Sequence, residues 1–445
     1  MVPGGLCRVN IDQLEPLWDI VEVHVDEAEF FWTRWERSLD APNYTLGEVA
    51  RGPELRLMAH LDGLVANGPR AAERLLRPVI VDAEAEPSRV GSAALALLNS
   101  PGEEGLQAVF DALSTPGLRH SVMARALELC ERRELEERLR ALLQSPLAES
   151  VEAAARALCF KRIPIANNLT PLLEHPLPQL HALAVHAVLH EAQPKIHLRA
   201  ILRALESPEA TVRLSAIVTG VALGIPDVWQ SCRKAAREGE RIAMLLLALL
   251  GTSRDQEWLM DAVARPDTRA DALWALGFSG TTTAAEVCVP YLGDKSLARI
   301  AGEAFCLITG LDLGERKLVI DAQDEELDPY ESDDANLMPR PEDELLMPDA
   351  EGVRRWWAGH KSRFDAKIRY LRGVPLNLTT LLSALRDAPM RQRHSLALLL
   401  MLRTQGRYTV NTRALSQRQL VEFSQVTVLK ERGLDVVAPF FGPGE

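Results

Sequence analysis

The chain has 445 residues, 47% of them apolar and 25% charged, which excludes a disordered polymer and a collagen-like one. Aromatics make up only 5%, so Leu, Ala and Val must build the core, and that favours helices over a β sandwich. Sixty-two acids against 50 bases give a net charge of −12, which argues against bulk attraction to nucleic-acid phosphates.

At the amino end, Met1 to Arg8 lacks the basic and apolar regions of a secretory leader. Residues 1–85 read as helical without repeats. Within them Val21 to Ser38 carries Phe30, Phe31, Trp32 and Trp35, and Phe31 and Trp35 share a face four residues apart. Such a segment is either an aromatic binding patch or a terminal helix that covers the open end of a core, and the second reading is favoured.

From 86 to 312 two kinds of helical segment alternate. One set comprises Glu104–Leu113, Leu135–Leu143, Lys195–Leu205, Pro226–Arg237, Asp255–Ala264 and Ala284–Leu292. Leu198, Ile201, Leu202 and Leu205 are spaced to cover one face of such a helix. The other set comprises Ser88–Leu98, His120–Cys130, Ser150–Phe160, Pro178–Glu191, Pro208–Gly224, Glu238–Leu250, Asp267–Gly277 and Lys295–Gly310. Its members begin with a polar or basic residue followed by small ones, as in Arg213-Leu214-Ser215-Ala216, Arg269-Ala270-Asp271-Ala272 and Arg299-Ile300-Ala301-Gly302. Counting from Arg89, the starts recur every 31, 32, 29, 32, 28, 28 and 30 residues. A near-constant period of this length predicts stacked helix pairs, each burying its stripe against its neighbours.

Residues 313–350 read as an acidic linker or draped loop. From Asp321 to Glu351 there are thirteen Asp or Glu and one base, Arg340, so the remaining chain is balanced at 49 acids and 49 bases. Four prolines interrupt the stretch, while Tyr330, Leu337, Met338, Leu345, Leu346 and Met347 give it apolar docking points. Its acids are candidate ligands for a basic partner surface: Asp324, Glu325, Glu326, Asp328, Glu331, Asp333, Asp334, Glu342, Asp343 and Glu344. A purely solvated linker is the competing reading.

Residues 351–445 read as a further helical region. Val353, Trp356, Trp357, His360 and Phe364 form a stripe that reads as buried. Arg369-Tyr370-Leu371-Arg372-Gly373 ends an element at the glycine, and Leu378–Leu385 with Arg391–Arg403 forms another helix pair. Arg393-His394 resembles the start of a displaced repeat, and 416–430 closes the region as a helix.

Little chemistry is legible. Gly277-Phe278-Ser279-Gly280 lacks the context of a phosphate loop, and there is no nucleophile elbow, zinc-protease helix or poised carboxylate pair. His186 and His190 have a chelating spacing, but His181 and His197 nearby add no companion ligand set, so no metal and no cofactor is expected. Six scattered cysteines and apolar runs no longer than Ala243–Leu250 and Leu396–Leu402 point to a reducing, cytoplasmic setting, since a bilayer span needs about 20 apolar residues.

The helix pairs with Arg and Ala at these positions resemble the short HEAT-like repeats of the bilin-lyase type. That resemblance implies an all-α superhelix, or solenoid, with a helical amino-terminal cap and a helical carboxy-terminal region. The di-iron hydroxylases of that class carry His-Glu pairs at inner-helix starts; here the one such pair, His190-Glu191, lies at a helix end. Trp356-Trp357, Arg369 to Gly373 and His60-Leu61-Asp62-Gly63 are similar to segments of a bacterial family encoded near type VI secretion loci. This resemblance implies a cytoplasmic immunity protein that neutralises an effector, such as a nuclease whose phosphate-binding site is basic; the missing catalytic constellation argues against an enzyme. An adaptor for effector loading, a plain scaffold and a metal- or tetrapyrrole-dependent enzyme stand as alternatives. The expected partner is a protein, with neither nucleic acid nor membrane bound directly.

Overall fold

The computed structural model describes residues 16–320, 341–427, 436–438 and 440. The described chain is mostly helical, with one two-stranded hairpin. Its contacts divide it into two units: one holds residues up to 36 together with 51–161, the other residues 37–50 together with those from 162 onward. No described helix is long and apolar enough to cross a membrane.

In chain order the first helices are α1 (Trp18–Ser38), α2 (Leu46–Arg51), α3 (Pro53–Ala66), α4 (Gly68–Ala71) and, after one π turn, α5 (Arg77–Ile80). Then come α6 (Pro87–Asn99), α7 (Glu104–Leu113), α8 (His120–Leu129), α9 (Leu135–Leu142) and α10 (Ala148–Lys161). In the first unit α6, α8 and α10 pack side by side in succession, and α7 and α9 pack beside them. The small residues of α6 explain the close approach: from Val90 to Leu98 every side chain is buried. A Cβ on Gly91 would lie 2.7 Å from the Trp32 ring of α1, so the glycine is what admits that ring.

The second unit contains α11 (Leu169–Leu172), α12 (Pro178–Ala187), α13 (Leu198–Ala204), α14 (Ala210–Ala222), α15 (Val228–Arg237) and α16 (Arg241–Leu250). It continues with α17 (Ser253–Ala262), α18 (Arg269–Ser279), α19 (Thr282–Cys288) and α20 (Ala298–Thr309). Here α12 packs on α14, and α16, α18 and α20 pack in succession. The pairing of α18 with α20 depends on Gly277, whose Cβ would stand 2.9 Å from the Cα of Ala304.

Three of the polar residues at the starts of these helices bond the carbonyls of the helix end or turn before them. Arg269 donates from Nε to the Val263 carbonyl at 2.8 Å and from a terminal nitrogen to that of Ala264 at 2.9 Å, at the end of α17. Arg213 donates to the carbonyls of Ser207 and Pro208 in the turn before α14. The His120 ring nitrogens meet the carbonyls of Leu113 and Leu118 at 3.0 and 2.9 Å. Carbonyls at a helix end and in the turn after it lack intrahelical partners, and Arg269, Arg213 and His120 answer that need.

Beyond the acidic stretch lie α21 (Ala350–His360), strands β1 (Tyr370–Leu371) and β2 (Val374–Pro375), α22 (Leu378–Asp387), α23 (Met390–Arg403) and α24 (Ser416–Thr427). The hairpin runs along the carboxyl ends of three helices. The Tyr370 amide donates to the Gly280 carbonyl after α18, and the amides of Arg372 and Gly373 donate to Leu307 and Ile308 of α20. Arg369 donates to the carbonyls of Ala248 and Leu249 in α16 and to those of Phe278 and Ser279 in α18. Burial is the main influence on this guanidinium and lowers its pKa to about 10, which still leaves it charged at neutral pH.

Candidate functional site

Seven of the ten candidate acids, Asp324, Glu325, Glu326, Asp328, Glu331, Asp333 and Asp334, lie outside the described residues. Glu342, Asp343 and Glu344 sit in a single 3-10 turn, Pro341–Glu344, at the carboxy-terminal root of the acidic stretch. The residues just after this turn pack against the body of the second unit. Leu345 is buried, and Pro348 sits over Gly302 of α20, where a Cβ would come within 3.2 Å of the proline ring.

Backbone bonds close the root on itself. The Ile320 amide donates to the Met347 carbonyl at 3.0 Å, and the Asp349 amide donates to Leu318 at 2.8 Å. Asp349 also caps α21 by accepting from the Gly352 amide at 3.0 Å. The residues on either side of the undescribed segment are therefore held together at one place on the unit.

Side-chain charge fixes the same place. Arg391 of α23 donates to Glu342 at 2.8 Å and to Glu303 of α20 at 3.1 Å. Arg241 of α16 lies 3.9 Å from Glu342 and 3.5 Å from Asp271, and its guanidinium stands 4.1 Å from the centre of the Trp274 ring. Arg299, the third arginine of the repeat signature, turns to the Leu345 carbonyl and not to a preceding helix end.

These contacts divide the acids by role. Burial opposes charge on Glu342, but the Arg391 hydrogen bond and charge prevail and hold its pKa below the usual carboxylate range. Glu303 goes the other way: burial dominates and raises its pKa although Arg391 is bound to it. Burial also works against the charge of Arg391, and its two carboxylate partners more than compensate. Glu342 is thus engaged inside the unit, whereas Asp343 and Glu344 are exposed.

The aromatic and histidine candidates lie elsewhere. Phe31, Trp32 and Trp35 are buried, Trp35 donating to Glu54 of α3 at 3.1 Å, while Phe30 is 55% exposed. Trp357 packs edge-on to Phe305 of α20, and His360 stacks on Trp356 with ring centres 4.4 Å apart. The His186 and His190 rings meet at 5.6 Å; burial lowers both pKa values, that of His190 to about 3 with help from His186 and Arg162. Among the described residues no three potential metal ligands stand together. Sequence reasoning did not place Arg391, Glu303 and Arg241 in the site: Arg241 entered only as a repeat start, Arg391 only as the first residue of a helix, and Glu303 not at all.

No family model matches the chain, and no curated protein matches it. Among solved structures, one engineered protein of a structural genomics consortium is similar over 48% of this chain and 93% of its own, at 19% identity and a TM-score of 0.20. Another covers 90% of this chain and 99% of its own, at 16% identity and a TM-score of 0.26. Scores this low carry no inference about either fold or function.

Proposed function

We propose that the chain is a HEAT-like α-solenoid that binds a protein partner through its acidic stretch, and that it serves in the cytoplasm as an immunity protein for a type VI secretion effector with a basic active site. The observation that carries this reading is the placement of charge. Thirteen acids occupy one stretch of a chain that is otherwise balanced, and the flanks of that stretch are bonded together at Ile320–Met347 and Leu318–Asp349. A dense negative segment held at a fixed root can steer a positively charged partner and complement its surface. The pairwise packing of successive helices supports a repeat scaffold beneath it.

The test is co-expression with the effector encoded beside the gene. Replacing Asp324, Glu325, Glu326, Asp328, Glu331, Asp333 and Asp334 by their amides removes seven of the thirteen acidic charges, none of them among the described residues. It should slow association about tenfold or more at low salt and flatten its salt dependence. Full protection and unchanged association by this variant would overturn the assignment of the acidic stretch. A native chain that neither captures nor neutralises the effector would overturn the immunity reading itself.

A further inference from the structure

The segment His60-Leu61-Asp62-Gly63 has no part in the acidic site, yet three of its residues build one feature of the first unit. Leu61 is fully buried and anchors α3. That places the His60 ring against His24 of α1, with the two Nδ1 atoms 3.0 Å apart and ring centres 5.2 Å apart. Gly63 lies under the His24 ring: a Cβ there would stand 2.7, 2.8 and 2.9 Å from its Cε1, Nε2 and Nδ1. Phe31 stacks on the other imidazole at 5.7 Å, nearly parallel, and Arg56 covers Phe31. Each ring is thus packed on one face while remaining partly exposed.

We propose that His24 and His60 form a binding site for one divalent transition ion of the zinc, nickel and copper class, joining α1 to α3. Imidazole nitrogens bind such ions at about 2.1 Å; the two Nδ1 atoms, 3.0 Å apart with ring centres 5.2 Å apart, face each other nearly head-on, so both rings turn for their lone pairs to converge on one ion. A tetrahedral angle needs about 0.4 Å more separation, which the same turn supplies. The two imidazoles supply two ligands, and water fills the other positions. Without an ion, one N–H···N hydrogen bond joins the rings across the same 3.0 Å gap.

The test uses the untagged full chain titrated with zinc chloride in a calorimeter. One ion should bind per chain. His60→Gln should abolish that event, His186→Gln should leave it, and Gly63→Ala, which keeps both imidazoles but displaces the His24 ring, should weaken it about tenfold or more. Electron paramagnetic resonance of the unsubstituted chain with one equivalent of copper(II) should show two coordinated imidazole nitrogens, and this readout holds even where a variant fails to fold. Absence of zinc binding, affinity unchanged in His60→Gln, or fewer than two coordinated nitrogens would overturn the site.

Discussion

Arg369 donates to the carbonyl of Leu249, 120 residues earlier in the chain, at 2.9 Å. The same guanidinium also binds Ala248, Phe278 and Ser279, so one side chain satisfies the open carboxyl ends of two adjacent helices, α16 and α18. Helix ends carry partial negative charge and unpaired carbonyls, and both are expensive to bury without a cation or a donor.

Replacing Arg369 by Met keeps most of the side-chain volume and removes every donor. The variant should lose about 3 kcal/mol or more of stability, because several buried carbonyls lose their partner together. Lys should recover only part of that loss, since a single ammonium cannot span four acceptors on two helices. Urea unfolding followed by helical circular dichroism measures both. A loss below about 1 kcal/mol in the Met variant would mean that water replaces the guanidinium readily.

The hairpin also depends on what one glycine lacks. Gly310, which ends α20 with φ +71°, would place a Cβ 2.4 Å from the Arg372 carbonyl oxygen. Gly310→Ala therefore combines a left-handed backbone with a backbone clash and should cost about 2 kcal/mol or more. Gly359 of α21 has nothing within 4 Å of its Cβ position, so Gly359→Ala should be neutral or gain up to about 1 kcal/mol. Comparable thermal midpoints for the two variants would contradict the clash.

Asp40 gives an acid-sensitive contact within the second unit. It lies 3.2 Å from His394 and 2.6 Å from Arg413. Burial pushes its carboxyl up, but the His394 and Arg413 hydrogen bonds outweigh it and bring the pKa from 3.8 to about 2. A folded value below the unfolded one means that its stabilisation is complete above pH 3.8 and fades as pH falls toward 2. Asp40→Asn should thus lower stability at neutral pH, by no more than about 1 kcal/mol for a partly exposed pair, and the gap from the parent should close below pH 3. Urea midpoints across that range would show it; a gap of constant size would assign the effect to packing.

Much of the helical framework was legible because its punctuation is local. The prediction for Glu104–Leu113 coincides with α7, and the repeat starts at Arg269 and His120 coincide with α18 and α8. What escaped was set by tertiary contact or by unusual local chemistry. The short α11 carries Pro171 inside it and offers no stripe long enough to detect. Leu198, expected on a buried face, is 38% exposed, because α13 starts only at that residue after a 3-10 turn. In the candidate site the charge concentration was visible, but the cradle was not. Glu303 and Arg391 stand 88 residues apart, His24 and His60 stand 36 apart, and neither pair has a spacing that either helix would reveal. Arg369 was noticed as the start of a segment ending at Gly373, while its four acceptors lie 90 to 121 residues before it.

That hidden cradle supplies the last prediction. Arg391 is the cation shared by buried Glu303 and the root acid Glu342, so Arg391→Met leaves Glu303 without its partner in a place where burial already raises its pKa above 4.5. Losing the cation raises that value further. A folded carboxyl pKa above the unfolded one means that the penalty is absent where both states are protonated and grows as pH climbs through the folded value. The variant should therefore be nearly as stable as the parent at pH 4 and lose about 3–5 kcal/mol at neutral pH, the usual cost of stranding a buried charge. Adding Glu303→Leu should restore most of the loss and remove its pH dependence, because the pair is then replaced by apolar volume. A deficit in Arg391→Met that is the same at pH 4 and pH 7 would mean that Glu303 reaches water once its partner is gone.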